Sequence, residues 1–365
     1  GFPAGMALSA LGVADFLKVV APAIEPIPCA LACIVVVTAL AALSIRLNAW
    51  VTGLFLAVEV AALIATALLG FMHPHNDLLR ATLHPVMAAP GGGLRPTPLL
   101  AMGLAGSAAI YALNGFGQAV IFGEEVIDAR RKMVWMIYGA LLVGAATIIP
   151  PLMGVIVGAP DLARLSASPT PLQDFVVAAG GQRIAALISL GVAIAIFNAM
   201  IAIALQGGRI LYSAARENSW HAGLNGALSK VHPRYGSPWV ATLVLGGAGV
   251  FLCFLPISAL VMINGSGVAF SYGLLGLGVI VGRRSGSTAR SQSRMPWHPI
   301  GPYLVAFSAI ALLAAGLADR GSGRVGVIVT LAVMTAGGLY YLLCVRPAGA
   351  WAHHEPDEEE VLVSV

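Results

Sequence analysis

The sequence predicts an all-α polytopic membrane protein, and two observations carry that prediction. Of 365 residues, 58% are hydrophobic and only 10% are charged, with a mean hydropathy of +0.88; an ordinary soluble domain is about 25% charged. The apolar residues also gather into runs of about 20, the length a helix needs to cross the hydrocarbon core. One membrane-embedded domain is expected over residues 1–345, followed by a polar, acidic and disordered tail over 346–365.

Taken in order, Gly1 to Val20 reads as the second half of a span, with no charged leader before it. The chain is therefore expected to be a fragment lacking its amino-terminal spans. Further spans fall near 27–45, 49–71, 98–122, 134–158, 183–212, 238–256, 258–282, 300–318 and 325–345. The connector His73 to Thr97 is rich in Pro and Gly, Ala159 to Gln182 is polar and mixed, and Arg283 to Pro299 is basic and Ser-rich. Lys and Arg divide unevenly between alternate connectors: thirteen of the twenty lie in the set that includes Arg130 to Lys132, Arg283, Arg284 and Arg346. By the positive-inside rule that set is cytoplasmic and the carboxyl terminus is inside.

Several function classes are disfavoured. The net charge of +4 comes with no basic cluster interleaved with aromatic residues, which argues against nucleic acid. His73, His75 and His84 lack a carboxylate or thiolate to complete a metal set, so no metal and no cofactor are expected. Cys29, Cys33, Cys253 and Cys344 lie in apolar runs and read as core packing. No nucleophile-and-base pattern appears, so an enzyme is the least favoured reading.

Two features inside the spans point to chemistry. Glu59 sits mid-span in FLAVEVAALIA, where an ionisable group costs about 2.5–3.5 kcal/mol on insertion scales. It is either a proton-coupling carboxyl or a neutral acid bonded to a neighbouring helix. Asn198, Gln206 and Asn264 read as interhelical hydrogen-bonding groups. The second feature is the run Asn114-Gly115-Phe116-Gly117-Gln118 inside an apolar segment. Gly disfavours a helix interior by about 1 kcal/mol against Ala. An opened turn also leaves backbone groups unpaired, which hydrocarbon does not tolerate unless they line a cavity or ligand site. Either the helix breaks here around a solute, or Gly115 and Gly117 merely let another helix approach.

From Ile110 onward the chain resembles the amino acid–polyamine–organocation permeases. ALNGFGQAVIFGEEVIDARR, Ala112 to Arg131, is similar to that family's broken sixth span. GGRILYSAARENSWHAGLNGALSKVHPRYGSPWVA, Gly207 to Ala241, resembles its exit from the eighth span and approach to the ninth. RMPWHPIGPYLVAF, Arg294 to Phe307, resembles its approach to the eleventh. The resemblance implies a LeuT-like five-plus-five inverted repeat without its first two spans. It implies secondary active amino acid transport across the cytoplasmic membrane, with an amine or polyamine, another small metabolite, or a non-transporting subunit role as alternatives. It implies that carbonyls around Tyr111, Ala112, Leu113 and Asn114 hold a substrate ammonium, and that N–H groups after Gly117 hold the carboxylate. Tyr111 would gate, Asn114 and Phe116 would line the pocket with Gly115, Gly117 and Gln118, and Glu124, Glu125 and Arg130 would close an inner gate. Glu59 falls where some proton-coupled relatives carry lysine. Gly117 or Gln118 replaces a frequent glutamate, and Asp128-Ala129 replaces Asn-Pro. No acidic residue lies between Ala101 and Gly123, which disfavours a polycation.

Overall fold

A computed structural model describes residues 1–43, 45–89, 91–126, 128–168, 170–287 and 298–348; for residues 45–51, 122–125 and 129–131 only the backbone is described. The structure is helical apart from one short hairpin among these residues. Its helices are α1 (Phe2–Val20), α2 (Pro26–Ala41), α3 (Ile45–Met72), α4 (Leu78–Leu83), α5 (Leu99–Ala112), α6 (Ala129–Gly158), α7 (Leu162–Ala167) and α8 (Pro171–Arg216), then α9 (Ala222–Leu228), α10 (Trp239–Leu252), α11 (Ile257–Ser285), α12 (Ile300–Ala318) and α13 (Ser322–Tyr340). A 3-10 helix, Phe116–Glu125, follows α5, and the hairpin pairs β1 (Val86–Ala88) with β2 (Leu94–Pro96).

Among the described residues eight helical segments are long and apolar enough to cross a membrane, and α2 and α10 are shorter apolar helices. The chain is thus an all-α integral membrane protein; the stretches read as spans at 27–45 and 238–256 form only the shorter helices α2 and α10. α1 runs for 19 residues within this chain, about 28 Å at 1.5 Å per residue, which is long enough to cross. The expected tail lies outside the described residues beyond 348, as do 288–297 of the basic connector.

The core forms around α1. Met6, Ala7, Ala10 and Val13 are buried against Ile34 and Val37 of α2, Met200 and Ile201 of α8, and Leu260 of α11. Small residues bring these backbones together, as expected where lipid removes the hydrophobic drive between helices. A Cβ on Gly246 of α10 would lie within 2.8 Å of Thr38 Cγ2 of α2, and one on Gly249 would lie 3.2 Å from Met6 Sδ. Cys29, Cys33, Cys253 and Cys344 are unbridged, and Cys33 and Cys253 pack in or against this core.

α3 and α6 make a second tight seam through Gly70, Gly154 and Gly158. Where α6 ends, Asn76 donates through Nδ2 to the carbonyls of Ile156 (3.0 Å) and Ala159 (2.7 Å). The main-chain N–H groups of His75 and Asn76 both reach Val157 O, at 2.8 and 2.9 Å. The last carbonyls of α6, which have no helical partner of their own, are therefore satisfied by the connector that follows α3.

Two connectors carry more order than their composition suggests. Residues 73–97 hold α4, capped by Asp77 Oδ1 accepting from Arg80 N at 2.7 Å, and the β1–β2 hairpin. The stretch expected as a polar connector over 159–182 instead contains α7 and the first part of α8. α8 bends at Gly181 (φ 73°), and Phe175 and Val176, before the bend, are buried at 1% exposure. The physical reason is amphipathic: Leu172, Phe175, Val176 and Ala179 share one helical face and pack with Leu69 and Val155.

Candidate substrate-binding site

α5 stops at Ala112 because the next residues cannot continue it. Leu113 leaves helical geometry at φ −88°, ψ 0°, and Gly115 takes φ +129°, a region that L side chains avoid. The chain re-enters helix at Phe116, but as a 3-10 helix of ten residues, where runs beyond about four are uncommon.

The break leaves main-chain atoms bare. Leu113 N bonds Ala109 O, Asn114 N bonds Tyr111 O and Gln118 N bonds Gly115 O, each at 3.0 Å. Among the described residues no backbone bond reaches the carbonyls of Ala112, Leu113 and Asn114, nor the N–H groups of Gly115, Phe116 and Gly117. The free donors thus precede Gln118 rather than following it, since the Gln118 N–H closes the first 3-10 turn. The alternative in which Gly115 and Gly117 serve close helix packing is not realised among the described residues, where a Cβ at either would meet nothing within 4 Å.

A cavity of about 200 Å³ lies beside the break, bounded by Ala112 to Phe116 on one side and by Leu141, Gly144, Ala145 and Ile148 of α6 on the other. Its lining is apolar apart from Asn114 and the main chain. Tyr111 points elsewhere. A Cβ added at Gly5 of α1 would lie 3.6 Å from both Tyr111 Oη and Asn264 Oδ1, so these two polar atoms meet α1 at a residue with no side chain. Asn264 is 2% exposed, and its Nδ2 donates to Leu260 O within its own helix at 2.9 Å.

The sequence reading missed Tyr272 of α11. Its hydroxyl donates to Asn114 Oδ1 at 3.0 Å, and its ring stacks on Phe116 with centroids 6.0 Å apart and planes 16° off parallel. A lone tyrosine in an apolar span carries no spacing signal, and only the fold brings it to the break.

Glu59 is half-buried on α3, which packs chiefly against α6 and α8. It makes no hydrogen bond or ion pair among the described residues, and none joins it to the break. Two turns earlier on α3, Thr52 O accepts from Asn198 Nδ2 of α8 at 3.4 Å, while Asn198 Oδ1 is buried without a partner among the described residues. The side chains of Glu124, Glu125 and Arg130 lie outside what is described. Below the break a larger cavity, about 480 Å³, is bounded by Val120 and Ile121 of the 3-10 helix, by Arg209, Tyr212 and Arg216 of α8, and by Ser237. Arg216 lies over the Tyr212 ring at 5.7 Å. Among the described residues no group of three or more His, Cys, Asp or Glu is arranged to hold a metal ion.

Comparison with known proteins gives a consistent set. Residues 1–342 match the family described as amino acid permease. A branched-chain amino acid permease of Bacillus subtilis is 24% identical over 222 residues, which is 59% of this chain and 47% of that protein. An uncharacterised transporter of Mycobacterium tuberculosis is 28% identical over 220 residues, 60% of this chain and 46% of that one. A methylthioribose transporter of Bacillus subtilis is 26% identical over 208 residues, 56% of this chain and 43% of that one. The chain spans about half the length of the curated relatives it matches.

Proposed function

We propose, from the premise that the chain belongs to the amino acid permease family, that it is the core of a secondary active amino acid carrier working by alternating access in the cytoplasmic membrane. Family membership makes it a transporter of small molecules rather than an enzyme. The observation that carries the finer reading is the break itself: unpaired carbonyls at Ala112 to Asn114, unpaired N–H groups at Gly115 to Gly117, and a hollow beside them. A zwitterion suits such a place. The carbonyls end α5 at its negative dipole end and attract an ammonium. The N–H groups, facing the other way along the chain, attract a carboxylate. Tyr111 to Gln118 form the substrate segment in this reading, within a LeuT-like five-plus-five arrangement.

An aliphatic amino acid is the favoured cargo. The lining from α6 offers no charge to a side chain, and one relative is named a branched-chain amino acid permease. Glu59 is the coupling group in this reading, carrying a proton or binding a cation, with Glu124, Glu125 and Arg130 at the inner gate and the carboxyl terminus inside. A second reading, a small non-amino-acid metabolite, is favoured by the relative named a methylthioribose transporter. Uptake of labelled leucine, isoleucine, valine and methylthioribose into liposomes holding the full-length protein, with and without an inward proton gradient, separates the two. Saturable, gradient-stimulated uptake of an amino acid supports the first reading. Movement of methylthioribose alone supports the second.

A further inference from the structure

We infer that Tyr272 of α11 is a positioning residue: it clasps both flanks of Gly115 and turns the Asn114 amide so that its N–H edge, not its oxygen, faces the substrate. The inference rests on the reading of the break as the substrate segment.

Two contacts from one side chain make the clasp. The Tyr272 hydroxyl donates to Asn114 Oδ1 at 3.0 Å, one residue before Gly115. Its ring lies against Phe116 with a centroid separation of 6.0 Å, one residue after. Gly115 itself touches nothing through the space a side chain would fill. Its φ of +129° is therefore imposed by what grips its neighbours, and Tyr272 grips both.

The support behind Tyr272 is rigid. Next to it, Gly273 lets α11 approach α12 so closely that a Cβ would lie 2.9 Å from Ala309 Cβ. One turn on, a Cβ at Gly276 would lie 3.0 Å from Pro302 O. Two turns earlier, Ser266 Oγ bonds Gly326 O at 3.0 Å and Thr330 Oγ1 at 2.8 Å, both on α13. α11, α12 and α13 thus form one packed support, and Tyr272 reaches from it to the opened segment.

The consequence for recognition follows from the amide's inventory. Asn carries one acceptor oxygen and two N–H donors on its side chain. Tyr272 occupies the oxygen, and Asn114 Nδ2 has no partner among the described residues. With the amide pinned, Asn114 offers donors beside the bare carbonyls and N–H groups of the break. It thereby adds to the donors that suit a carboxylate or another oxygen acceptor on the ligand. Tyr272 does not line the cavity toward α6, so it acts through Asn114 and Phe116.

The test uses the full-length protein in liposomes, with the four cysteines replaced and a reporter cysteine at Ala145 (A145C) on the α6 wall of the cavity. The reporter is read by its labelling rate with N-ethylmaleimide, which needs no transport. Tyr272→Phe keeps the ring contact and removes the hydroxyl; Tyr272→Ala removes both. We expect Tyr272→Phe to raise KM for the best-transported of leucine, isoleucine and valine about fivefold, the equilibrium weight of one net hydrogen bond, with kcat within about twofold. Tyr272→Ala is expected to change reporter labelling at least about threefold as the segment loosens, where a released ring contact opens it further than a lost hydroxyl. In an Asn114→Ala background the Tyr272→Phe effect on KM should vanish, because the residue acts through that amide. Additive effects in that background, or labelling that Tyr272→Ala leaves unchanged, overturn the inference. If none of the three amino acids is transported, the labelling arm still decides the clasp, and the functional reading falls separately.

Discussion

At the scale of single residues, the break depends on a backbone state that one methyl group would forbid. Gly115 is at φ +129° with open space around its missing side chain. Gly115→Ala would therefore meet no neighbour and still suffer, because the strain is in its own φ; such conformations cost about 1–3 kcal/mol for a residue with a Cβ. The expected result is a protein that folds, with a melting temperature lowered by a few degrees, but with amino acid uptake reduced at least about tenfold. Gly117→Ala, also in open space but without a positive φ, is the control and should keep most uptake. Glu59 tests a different property. It has no partner among the described residues, so neutralising it breaks no contact described there. Glu59→Gln should leave exchange of internal for external substrate intact and abolish stimulation of uptake by a proton gradient. A variant with full gradient-driven uptake would remove Glu59 from coupling. These two sites also show what a sequence can convey. Asn114 to Gln118 was legible, because two glycines and two amides inside an apolar span serve either an opened turn or a close helix contact, and little else. Tyr272 was not, because its role is a contact across 158 residues of chain and nothing in its own neighbourhood announces it.

At the scale of elements, hydropathy located the spans well and the connectors poorly. Apolar runs reveal themselves one by one, since each must satisfy the bilayer independently. The stretch before the bend in α8 escaped because its apolar face is narrow and its other face is polar; the apolar average over 159–182 is diluted although Phe175 is buried. The α3–α6 seam was equally hidden. Gly70, Gly154 and Gly158 are three of 43 glycines, and only the fold shows that a Cβ at Gly158 would lie 2.5 Å from Gly70 Cα. Here a substitution must move backbone, not a flexible side chain. Gly158→Ala is expected to destabilise the detergent-solubilised protein by about 1–3 kcal/mol, the usual range for overpacking. It should do so far more than Gly139→Ala on the same helix, where a Cβ meets nothing within 4 Å. Asn76→Ala should add a second, smaller loss, because the carbonyls of Ile156 and Ala159 would each lose a donor. Thermal melts of the single and paired variants check both. If the Asn76 bonds and the glycine seam act as one unit, the paired loss will be less than the sum.

At the scale of the whole molecule, the arrangement is a bundle built around α1, with the break of α5 held from the α11 side by Tyr272 and open to a hollow on the α6 side. Such an arrangement gives α5 one anchored face and one free face, as the proposed opening and closing around a solute would require. The direction in which it opens depends on how the bundle lies in the bilayer, and charge decides that. The hairpin connector after α3 carries Arg80 and Arg95, whereas the connector around α9 carries Arg216, Lys230 and Arg234, with Arg209 two turns inside α8. Arg283 and Arg284 lie in the last turn of α11, two apolar helices after that connector, so alternation of spans assigns both to one side. In the proposed orientation both groups of cations belong to the cytoplasmic side, with the larger cavity beside Arg216 on that side and the hairpin outside. In cells expressing a variant without the four native cysteines, a membrane-impermeant maleimide added externally should label Arg95→Cys in β2. It should leave Lys230→Cys unlabelled until the membrane is permeabilised. Both positions are exposed, so accessibility within the fold cannot mimic the result. The opposite pattern would invert the protein. It would make the cavity beside Arg216 an outward-facing mouth, and the assignment of Glu124, Glu125 and Arg130 to an inner gate would fail with it.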